Sequence, residues 1–538
     1  METYESDVVI VGGGLAGIVT ALELLDRGKS VTILDRDEEA NFGGLAKESF
    51  GGIFVVDSDE QRRAGAKDSI DLALSDWRSF AEFGHQDHWP QKWAETYVGR
   101  CKADIYLWLK SKGIGFFPVP NWVERGQFVP GNSVPRFHMV WGTGHVLATT
   151  LVGHLLGHSK RDKLRLVFGK RVEALDLQGG RVVGCRGVGE TDGLPFAARG
   201  AATVIAAGGI NGSDAMLRRH WHKDWSRPPE TILNGSHRFA DGTLHMAAER
   251  AGACLTHLDK MWNYAAGVHH PRPRKPRHGL SLVPSRSALW LDWRGRRFGP
   301  MPLISGFDTR ELVTRVSATE RQYSWMLLNR RIAKKELAVS GAEYNPSIRD
   351  QKRWAFLRDV LFGNTWLYDD LTGHCPDFVL ANSVSELVDK MNRLQGDDGV
   401  ELGAVEAAIA TYDAQIERGE GFHNDEQLRR IAYLKRYRGD KVRIAKFGKI
   451  DDPEARPLIA IRTFIISRKS LGGIQTDLSG RAIGADGLPV PGLYAAGEAA
   501  GFGGGGVHGL RALEGTFLGG CILTGRIAGR AIGGESAP

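Results

Sequence analysis

A β-α-β pattern at the N-terminus constrains the fold of this 538-residue chain more than any other feature. The stretch DVVIVGG is a short apolar run that ends in glycine, which predicts a buried strand. It is followed by LAGIVTALELLDRG, which has the apolar spacing of a helix ending at Gly28, and by SVTILD, a second buried strand. The turn between the first strand and the helix is Gly12-x-Gly14-x-x-Gly17, and Asp35 ends the second strand.

Each residue of this motif has a physical role in binding a dinucleotide. The first glycine permits a tight turn, the second lets a pyrophosphate approach the backbone, and the third lets the helix pack on the strand. The helix N-terminus at Leu15 and Ala16 offers free N–H groups and the positive end of the helix dipole. Asp35 can accept a hydrogen bond from an adenosine ribose, with Arg36 beside it. The motif therefore predicts dinucleotide binding.

The composition is that of a globular protein, with 42% hydrophobic and 25% charged residues. No stretch approaches the roughly 20 apolar residues of a membrane-spanning helix, so we expect no integral membrane segment. The beginning of the chain is acidic and has neither a basic region nor an apolar signal core, which predicts a cytoplasmic protein. We attribute the net charge of +7 to a solvated basic surface or a site for small anions, and expect no nucleic-acid partner, because no recognition motif is present.

The cysteines are dispersed, odd in number and without a Cys-x-x-Cys pair. This pattern argues against a disulfide framework, a zinc site and a dithiol redox centre. We predict no metal site. The cysteines are Cys101, Cys185, Cys254, Cys375 and Cys521.

Strands and glycines dominate both ends of the chain. LRLVFGKRVEALDLQGGRVVGCRGV predicts antiparallel strands with a turn at Gly179 and Gly180. AATVIAAGGI predicts a buried strand that ends in the glycines Gly208 and Gly209. From about Ala240 tryptophan, arginine, proline and histidine become frequent, and ATERQYSWMLLNRRIAKKEL predicts an amphipathic helix. Near the end, GLYAAGE predicts a short strand, followed by a glycine-rich loop and an apolar helix.

Glycine clusters spread over the whole chain favour FAD over a nicotinamide cofactor, because the longer FAD touches distant segments. The glycines that follow GLYAAGE would let the flavin ring and a substrate lie flat against backbone. The helix that begins near Thr516 would point its N-terminus at the flavin C2 carbonyl and stabilise the reduced flavin.

The chain resembles a flavoprotein family that contains soluble fumarate reductases, succinate dehydrogenase flavoprotein subunits and 3-ketosteroid dehydrogenases. The resemblance is carried by the N-terminal glycine motif with Asp35, GGLAKESFGG, VIAAGGI, LGGIQTD and GLYAAGE…GGGVHG, together with GRRF, which is similar to a hairpin of the family's cap. It implies an α/β fold in which a Rossmann-like FAD-binding domain is interrupted by an α+β capping domain. The domain ranges that we predict are 1–239 and 451–538 for FAD binding and 240–450 for the cap.

The resemblance also implies which residues hold FAD. They fall into an ADP-binding group, a group along the pyrophosphate and flavin N5 edge, an adenine contact, a ribityl contact and a group at the flavin pyrimidine end. The ADP-binding group is Gly12, Gly14, Leu15, Ala16, Gly17, Asp35 and Arg36, and the group along the pyrophosphate and flavin N5 edge is Gly43, Gly44, Ser49, Gly51 and Gly52. The adenine contact is Val172, and the ribityl contact is Glu498, together with Gly497 and with Ala207 and Gly208 at a strand end. The group at the flavin pyrimidine end is Thr516, Phe517 and Leu518. Because Phe50 or Lys47 stands near the place of the histidine that carries covalent FAD in other members, we predict a non-covalent cofactor.

The candidate catalytic residues follow from the resemblance and from the chemistry. Lys469 stands in KSLGG where the fumarate reductases have a substrate-binding histidine, and Arg511 in HGLRALEG is an offset counterpart of their loop arginine. A tyrosine can transfer a proton when a nearby positive charge lowers its pKa, and the cap offers two. The candidates are Arg511, His508, Lys469, Arg468, Tyr264 and Tyr323, with Arg310 as a weak match to a family proton path.

These features predict an FAD-dependent oxidoreductase that dehydrogenates a carbon–carbon bond next to a carbonyl in a cyclic ketone- or steroid-like substrate. The alternative is a fumarate-reductase-like reduction of an unsaturated acid or enone. A second dinucleotide fingerprint is missing from the sequence, which predicts that electrons pass to or from a separate carrier or quinone. A basic RNA-associated flavoprotein and a dioxygen-using hydroxylase fit the motifs less well.

Overall fold

A computed structural model describes residues 1–535 of the chain. The chain forms two compact units. Unit 1 consists of Met1–His222, Ser236–Trp262 and Lys469–Pro538, of which 536–538 lie outside the described residues, and unit 2 consists of Lys223–Gly235 and Asn263–Arg468. The predicted domain ranges 1–239, 240–450 and 451–538 stay a prediction.

The strands of the described chain are numbered in chain order. They are β1 (Glu2–Glu5), β2 (Val8–Val11), β3 (Val31–Leu34), β4 (Gly52–Phe54), β5 (Phe137–Met139), β6 (Leu164–Val167), β7 (Lys170–Gln178), β8 (Arg181–Gly189), β9 (Pro195–Arg199), β10 (Ala202–Ile205), β11 (Leu233–Asn234), β12 (Leu255–Thr256), β13 (Met261–His269), β14 (Gly279–Val283), β15 (Leu289–Leu291), β16 (Tyr323–Asn329), β17 (Ala338–Val339), β18 (Phe378–Ala381), β19 (Leu458–Ser470), β20 (Gly473–Ile474), β21 (Arg481–Ile483) and β22 (Pro489–Ala495).

The α-helices are numbered in the same way. They are α1 (Leu15–Asp26), α2 (Asp59–Arg63), α3 (Ile70–Ala81), α4 (His88–Arg100), α5 (Trp108–Ser111), α6 (Thr143–Leu156), α7 (Asp214–Arg219), α8 (Thr243–Arg250), α9 (Thr309–Ser317), α10 (Arg330–Glu336), α11 (Pro346–Arg349), α12 (Arg353–Phe362), α13 (Thr365–His374), α14 (Val384–Gln395), α15 (Leu402–Glu417), α16 (Glu426–Leu434), α17 (Arg438–Lys441) and α18 (Thr516–Ile532).

The main sheet of unit 1 has the strand order β21-β22-β10-β2-β3-β6. Strands β22, β10, β2, β3 and β6 run parallel, whereas β21 pairs antiparallel with β22. Every residue of β2, β3 and β10 is buried, as expected for parallel strands that are covered on both faces. The predicted strand–helix–strand at the N-terminus and the predicted α/β class are confirmed.

A second sheet of unit 1 has the order β1-β9-β8-β7. Strands β7 and β8 form an antiparallel hairpin whose turn residues Gly179 and Gly180 have φ angles of 57° and 76°. Two consecutive positive φ angles are typical of the hairpin turn that matches strand twist, so the predicted turn is confirmed.

Unit 2 contains a largely antiparallel sheet, in which only β11 pairs parallel with β19 among the strand pairings described, and helices α9 to α17. The predicted amphipathic helix over residues 318–337 is wrong in its first half, because Tyr323–Asn329 form strand β16. This strand pairs antiparallel with β19, with Trp325 opposite Arg462, and six of its seven residues are buried. A strand buried on both faces shows a continuous apolar run rather than alternation, and periodicity alone does not separate such a run from a helix.

All five cysteines are free thiols. Within residues 1–535, no helix combines the length and the apolar character that crossing a bilayer requires.

Candidate cofactor site and active-site residues

The turn between β2 and α1 shows why each glycine of the N-terminal motif is needed. A Cβ at Gly12, where φ is +113°, would lie 2.4 Å from the backbone oxygen of Ala206, and a Cβ at Gly17 would lie 2.0 Å from the oxygen of Gly12. A Cβ at Gly14 would meet no protein atom within 4 Å. Two glycines therefore permit close backbone packing, and Gly14 alone faces open space at the start of α1.

A second glycine segment adjoins this open space. The Gly43 N–H donates to the Gly13 oxygen at 3.0 Å, and a Cβ at Gly44 would meet only Gly14, at 3.2 Å. Helix α1 begins on Gly14 without a side-chain cap, so its first N–H groups remain available to an anion. Gly14, Gly44 and the α1 N-terminus form a cradle, which we call the glycine cradle.

Asp35 follows β3 and lies beside the glycine cradle. Its Oδ2 accepts the Gly13 N–H at 2.6 Å, and its Oδ1 accepts the Asp37 N–H at 2.8 Å. Burial raises the pKa of the Asp35 carboxyl, and the two backbone donors oppose that rise. Each carboxylate oxygen accepts more than one hydrogen bond, so Asp35 keeps acceptor capacity for a ribose hydroxyl.

Arg36 is held in a different set of contacts. Its Nε donates to Glu190 at 2.8 Å, its Nη1 donates to Asp241 at 2.6 Å, and its guanidinium lies 4.3 Å from the ring centroid of Phe239. The structure therefore gives Arg36 two carboxylate partners within unit 1.

The other predicted ADP contacts lie on neighbouring strand ends. The Lys170 N–H donates to the Asp35 oxygen at 2.9 Å, which places the beginning of β7, and Val172 on it, near Asp35. Ala207 and Gly208 follow β10, and a Cβ at Gly12 would lie 2.9 Å from the Cα of Ala207.

Ser49, Gly51 and Gly52 precede or begin β4 and pack against protein. Ser49 accepts the Gly144 N–H through its backbone oxygen at 3.0 Å. A Cβ at Gly51, where φ is +85°, would lie 2.6 Å from the Gly144 nitrogen, and a Cβ at Gly52 would overlap the ring of Phe137. These two glycines permit close packing of the segment on α6 and β5.

The end of β22 leads into Gly497 and Glu498. The Gly497 N–H donates to Thr524 Oγ1 at 2.8 Å, and Glu498 Oε1 accepts the Ser470 N–H at 2.9 Å. Helix α18 begins at Thr516, as predicted, after Gly515 with φ +96° and without a side-chain cap. Its first turn contains Thr516, Phe517 and Leu518.

His508 is a buried, neutral histidine beside the α18 N-terminus. Thr516 Oγ1 donates to the Leu513 oxygen at 2.5 Å, so it accepts the His508 Nε2–H at 2.8 Å. His508 Nδ1 is then an acceptor, and it finds no hydrogen-bond partner within residues 1–535. Burial, followed by the charge of Lys469, lowers the pKa of His508 to about 3.

Lys469 and Arg511 are both in unit 1 but have different surroundings. Lys469 Nζ lies 4.3 Å from the ring centroid of Phe517. Arg511 forms an ion pair with Glu82, and its guanidinium lies 5.8 Å from the ring centroid of Phe80. Lys469 is thus placed at the first turn of α18, whereas Arg511 is engaged by a carboxylate.

The remaining candidates belong to unit 2. Tyr264 and Tyr323 pack against the same small apolar cluster, and the Arg468 guanidinium lies 6.0 Å from the Tyr264 ring centroid. Tyr323 Oη donates to Gln395. Burial raises the pKa of Tyr323, and the neighbouring Arg321 opposes the rise.

Arg310, the weak match to a family proton path, lies at the start of α9 in unit 2. Its Nη2 is 3.1 Å from Asp224 Oδ2, and its guanidinium lies 5.2 Å from the Trp225 ring centroid.

Residues 7–518 match the family model described as FAD binding domain. The chain belongs to this FAD-binding family. It is 42% identical over 548 aligned residues to a KsdD-like steroid dehydrogenase of Mycobacterium tuberculosis, with 98% of this chain and 96% of that protein covered. The protein is therefore an FAD-dependent oxidoreductase.

Solved structures share the fold of this FAD-dependent oxidoreductase. A 3-ketosteroid delta1-dehydrogenase from Sterolibacterium denitrificans superimposes with a TM-score of 0.71 at 16% identity, covering 98% of this chain and 99% of that one. A flavocytochrome c3 fumarate reductase in an open conformation gives a TM-score of 0.68 at 19% identity, covering 98% and 78%. The resemblance stated from the sequence is confirmed.

The residues of unit 1 fit FAD. The glycine cradle offers uncapped N–H groups and open space to a pyrophosphate, and the Asp35 carboxylate beside it keeps acceptor capacity. All twenty predicted cofactor residues lie in unit 1, together with Lys469, His508 and Arg511, whereas Tyr264, Tyr323 and Arg468 lie in unit 2.

Close protein packing requires the glycines in the glycine-rich loop of the oxidoreductase. A Cβ at Gly503 would lie 2.7 Å from the Trp93 ring, one at Gly504 2.6 Å from the backbone of Trp89, and one at Gly505 2.2 Å from Thr256 Oγ1. A Cβ at Gly506 would lie 2.6 Å from Nδ1 of His257. These four glycines are required because protein packs closely on them, and the expectation that flavin and substrate lie against this loop stays a prediction.

Several side chains around the α18 N-terminus escaped the sequence prediction. The Trp77 ring stacks on His508 with 6.2 Å between centroids, and Phe502 contacts His508 edge-on at 5.2 Å. Trp262 Nε1 donates to Glu514 Oε1 at 3.0 Å. Of these side chains, only Glu514 could have been found from the sequence, because it is a charged residue in the apolar segment that precedes α18.

Proposed function

We propose that this oxidoreductase dehydrogenates a carbon–carbon bond next to the carbonyl of a cyclic ketone- or steroid-like substrate. The observation that carries the proposal is the 42% identity, over nearly the full length of both chains, to a KsdD-like steroid dehydrogenase. The fold shared with a 3-ketosteroid delta1-dehydrogenase supports it. Unit 2 is proposed to act as the substrate-binding cap.

Such a reaction removes one hydrogen of the substrate as a proton and the other with its bonding electrons. FAD, when bound, accepts the two electrons. The chain itself must therefore supply a base for the proton and a group that polarises the carbonyl.

Tyr264 and Tyr323 are the two candidate proton acceptors of the chain. A nearby cation favours the phenolate and lowers a tyrosine pKa, and the Arg468 guanidinium lies 6.0 Å from the Tyr264 ring. Tyr323 also has an arginine beside it, because Arg321 opposes the rise in pKa that burial causes, and the Tyr323 hydroxyl donates to Gln395. We infer that one of these two tyrosines takes the proton.

The α18 N-terminus and Lys469 are proposed to hold the pyrimidine end of the flavin. Both place positive charge next to Phe517. His508 is neutral, and its buried Nδ1 offers an acceptor to a donor outside the protein. Positive charge here would favour the reduced flavin.

We propose that FAD is bound without a covalent link. Neither Phe50 nor Lys47 is a histidine, and Lys47 Nζ donates to the Ala40 oxygen at 2.8 Å. Release of all flavin into the supernatant after acid precipitation is the expected result. An external electron carrier or quinone is proposed as the electron partner, and the cytoplasmic location stays a prediction.

The deciding experiment is anaerobic mixing of the oxidised holoenzyme with saturated cyclic ketones, including 3-ketosteroids, while the visible flavin band is recorded. Bleaching supports the proposed dehydrogenation. If the band persists, and an enone or unsaturated acid reoxidises the dithionite-reduced enzyme, the protein is a reductase of the alternative class.

A further inference from the structure

Helix α12 of unit 2 exposes a set of large apolar side chains. None of its ten residues is buried. Trp354, Leu361 and Phe362 are 85%, 71% and 79% exposed, and Leu357 and Trp366, at the beginning of α13, are also exposed. Contiguous exposed apolar side chains of this size mark an interaction site.

The spacing of these side chains places them on one side of α12. Trp354, Leu357 and Leu361 are three and seven residues apart, which brings them onto one helix face, and Phe362 lies at its edge. The opposite side of α12 is less exposed, because Phe356, Asp359 and Val360 are partly buried. The C-terminal end of the helix is attached to unit 2. Lys335 Nζ donates to the Val360 oxygen at 2.9 Å, and the Asn364 N–H donates to the Lys334 oxygen at 3.0 Å.

Basic residues border the apolar face. Lys352 and Arg353 begin the helix and are exposed, and Arg358 lies between the apolar side chains. Two of these three cations have an acidic partner, since Lys352 lies 3.3 Å from Asp350 and Arg358 lies 3.1 Å from Asp359, and Arg353 has none among the described residues. The face therefore combines apolar side chains with an excess of positive charge.

We propose that α12 docks the protein on an anionic lipid bilayer. A helix with tryptophan, phenylalanine and leucine on one face and basic residues beside them lies in the plane of the membrane interface. Trp354 and Trp366 stand near the two ends of the exposed segment, and tryptophan is enriched at that depth. Arg353 matches the negative charge of the headgroups.

A second copy of the chain fits this face less well. Packing the middle of α12 on its symmetry mate across a two-fold axis would bring Arg358 close to Arg358 of the other copy. Like charges placed together oppose association, whereas a lipid surface offers them opposite charge.

The proposal rests on α12 and is independent of the substrate. An apolar substrate or a quinone would be concentrated in the same bilayer, but the test measures neither. Failure of membrane binding would leave the proposed dehydrogenation intact, and the reverse also holds.

The test is co-sedimentation of the holoenzyme with vesicles of phosphatidylcholine, alone or mixed with phosphatidylglycerol. Binding to the mixed vesicles, weakened by salt, is expected. The double variant Trp354→Ser/Phe362→Ser should abolish it, and Arg353→Gln should weaken it about fivefold, the effect of roughly one basic residue near an anionic surface. Phe422→Ser, at another exposed apolar side chain of unit 2 (73% exposed), is the matched control and should bind as the wild type does.

Three results would overturn the proposal. The first is absence of binding to both vesicle types, and the second is binding that the α12 variants do not change. The third is self-association, seen in sedimentation velocity and removed by the double variant, which would assign the face to a second copy. Flavin absorbance and thermal unfolding show that each variant is folded. If the double variant loses its flavin, Arg353→Gln decides alone.

Discussion

Replacing Gly14 with alanine should separate cofactor binding from folding. The φ and ψ angles of Gly14, −76° and −179°, are accessible to alanine, and the added Cβ would meet no protein atom within 4 Å. Alanine restricts the unfolded chain, which stabilises by about 0.4–1 kcal/mol, but it is a poorer helix N-cap than glycine. The two effects oppose each other, so the stability of the apoprotein should change by less than about 1 kcal/mol.

FAD affinity should fall in the same variant. The Cβ would project into the glycine cradle, where the pyrophosphate is proposed to approach the backbone. Loss of one hydrogen bond to a charged group costs about 1.5–3 kcal/mol, which corresponds to a rise in Kd of roughly 10- to 150-fold. The measurements are FAD titration of the apoprotein by flavin fluorescence and thermal unfolding of the same apoprotein.

Gly17→Ala is the matched control, because its Cβ would lie 2.0 Å from the Gly12 oxygen. Forcing such an overlap into a packed element costs about 1–3 kcal/mol, so this apoprotein should unfold at a lower temperature. An apo Gly14→Ala variant that keeps both the wild-type stability and the wild-type Kd for FAD would refute the assignment of the cradle to the pyrophosphate.

Three further predictions concern the α18 side of unit 1. Gly505→Ala should lower the thermal unfolding midpoint far more than Gly487→Ala. Both glycines have a positive φ, but only the Cβ added at Gly505 would overlap a threonine hydroxyl, at 2.2 Å. Equal decreases in the midpoint of the two variants would contradict close packing at Gly505. Since the pKa of His508 is lowered to about 3, the unfolded chain takes up a proton below pH 6.5 that the folded chain does not, and stability should fall with acid by up to about 1.4 kcal/mol per pH unit. His508→Gln should remove that part of the slope in denaturant unfolding between pH 7 and 5, and an unchanged slope would contradict the neutral assignment. If Arg511 binds substrate, Arg511→Leu should lower kcat/KM about tenfold or more. Glu82→Gln should leave kcat/KM unchanged, because an exposed ion pair contributes only about 0–1 kcal/mol. Equal effects of the two variants would show that the Arg511–Glu82 pair has a structural role.

Local sequence determined much of unit 1. The strand–turn–helix–strand over β2, α1 and β3 follows from apolar runs and three glycines, each of which acts within a few residues of the chain. The Gly179–Gly180 turn and the start of α18 are equally local, since both depend on glycines with positive φ. Local signals of this kind are the ones that periodicity and turn chemistry detect.

Long-range partners account for what the sequence did not reveal. Arg511 pairs with Glu82, 429 residues away along the chain, and the loop glycines Gly503 and Gly504 adapt to tryptophans on a helix more than 400 residues earlier. The sequence does not distinguish a glycine that is required by a neighbouring tryptophan from one that is required by a bound flavin. Strand β16 was mistaken for a helix for a related reason, because its partner β19 lies far along the chain.

The surroundings of His508 show which groups of unit 1 carry positive charge at the α18 N-terminus. Two positive sources are present there, the helix dipole and the Lys469 ammonium near Phe517. A charged His508 would add a third, but burial and Lys469 both disfavour its imidazolium. Thr516 takes its Nε2–H, so the ring presents an unprotonated Nδ1. Stabilisation of negative charge therefore belongs to Lys469 and the helix, and His508 can serve there only as a neutral acceptor.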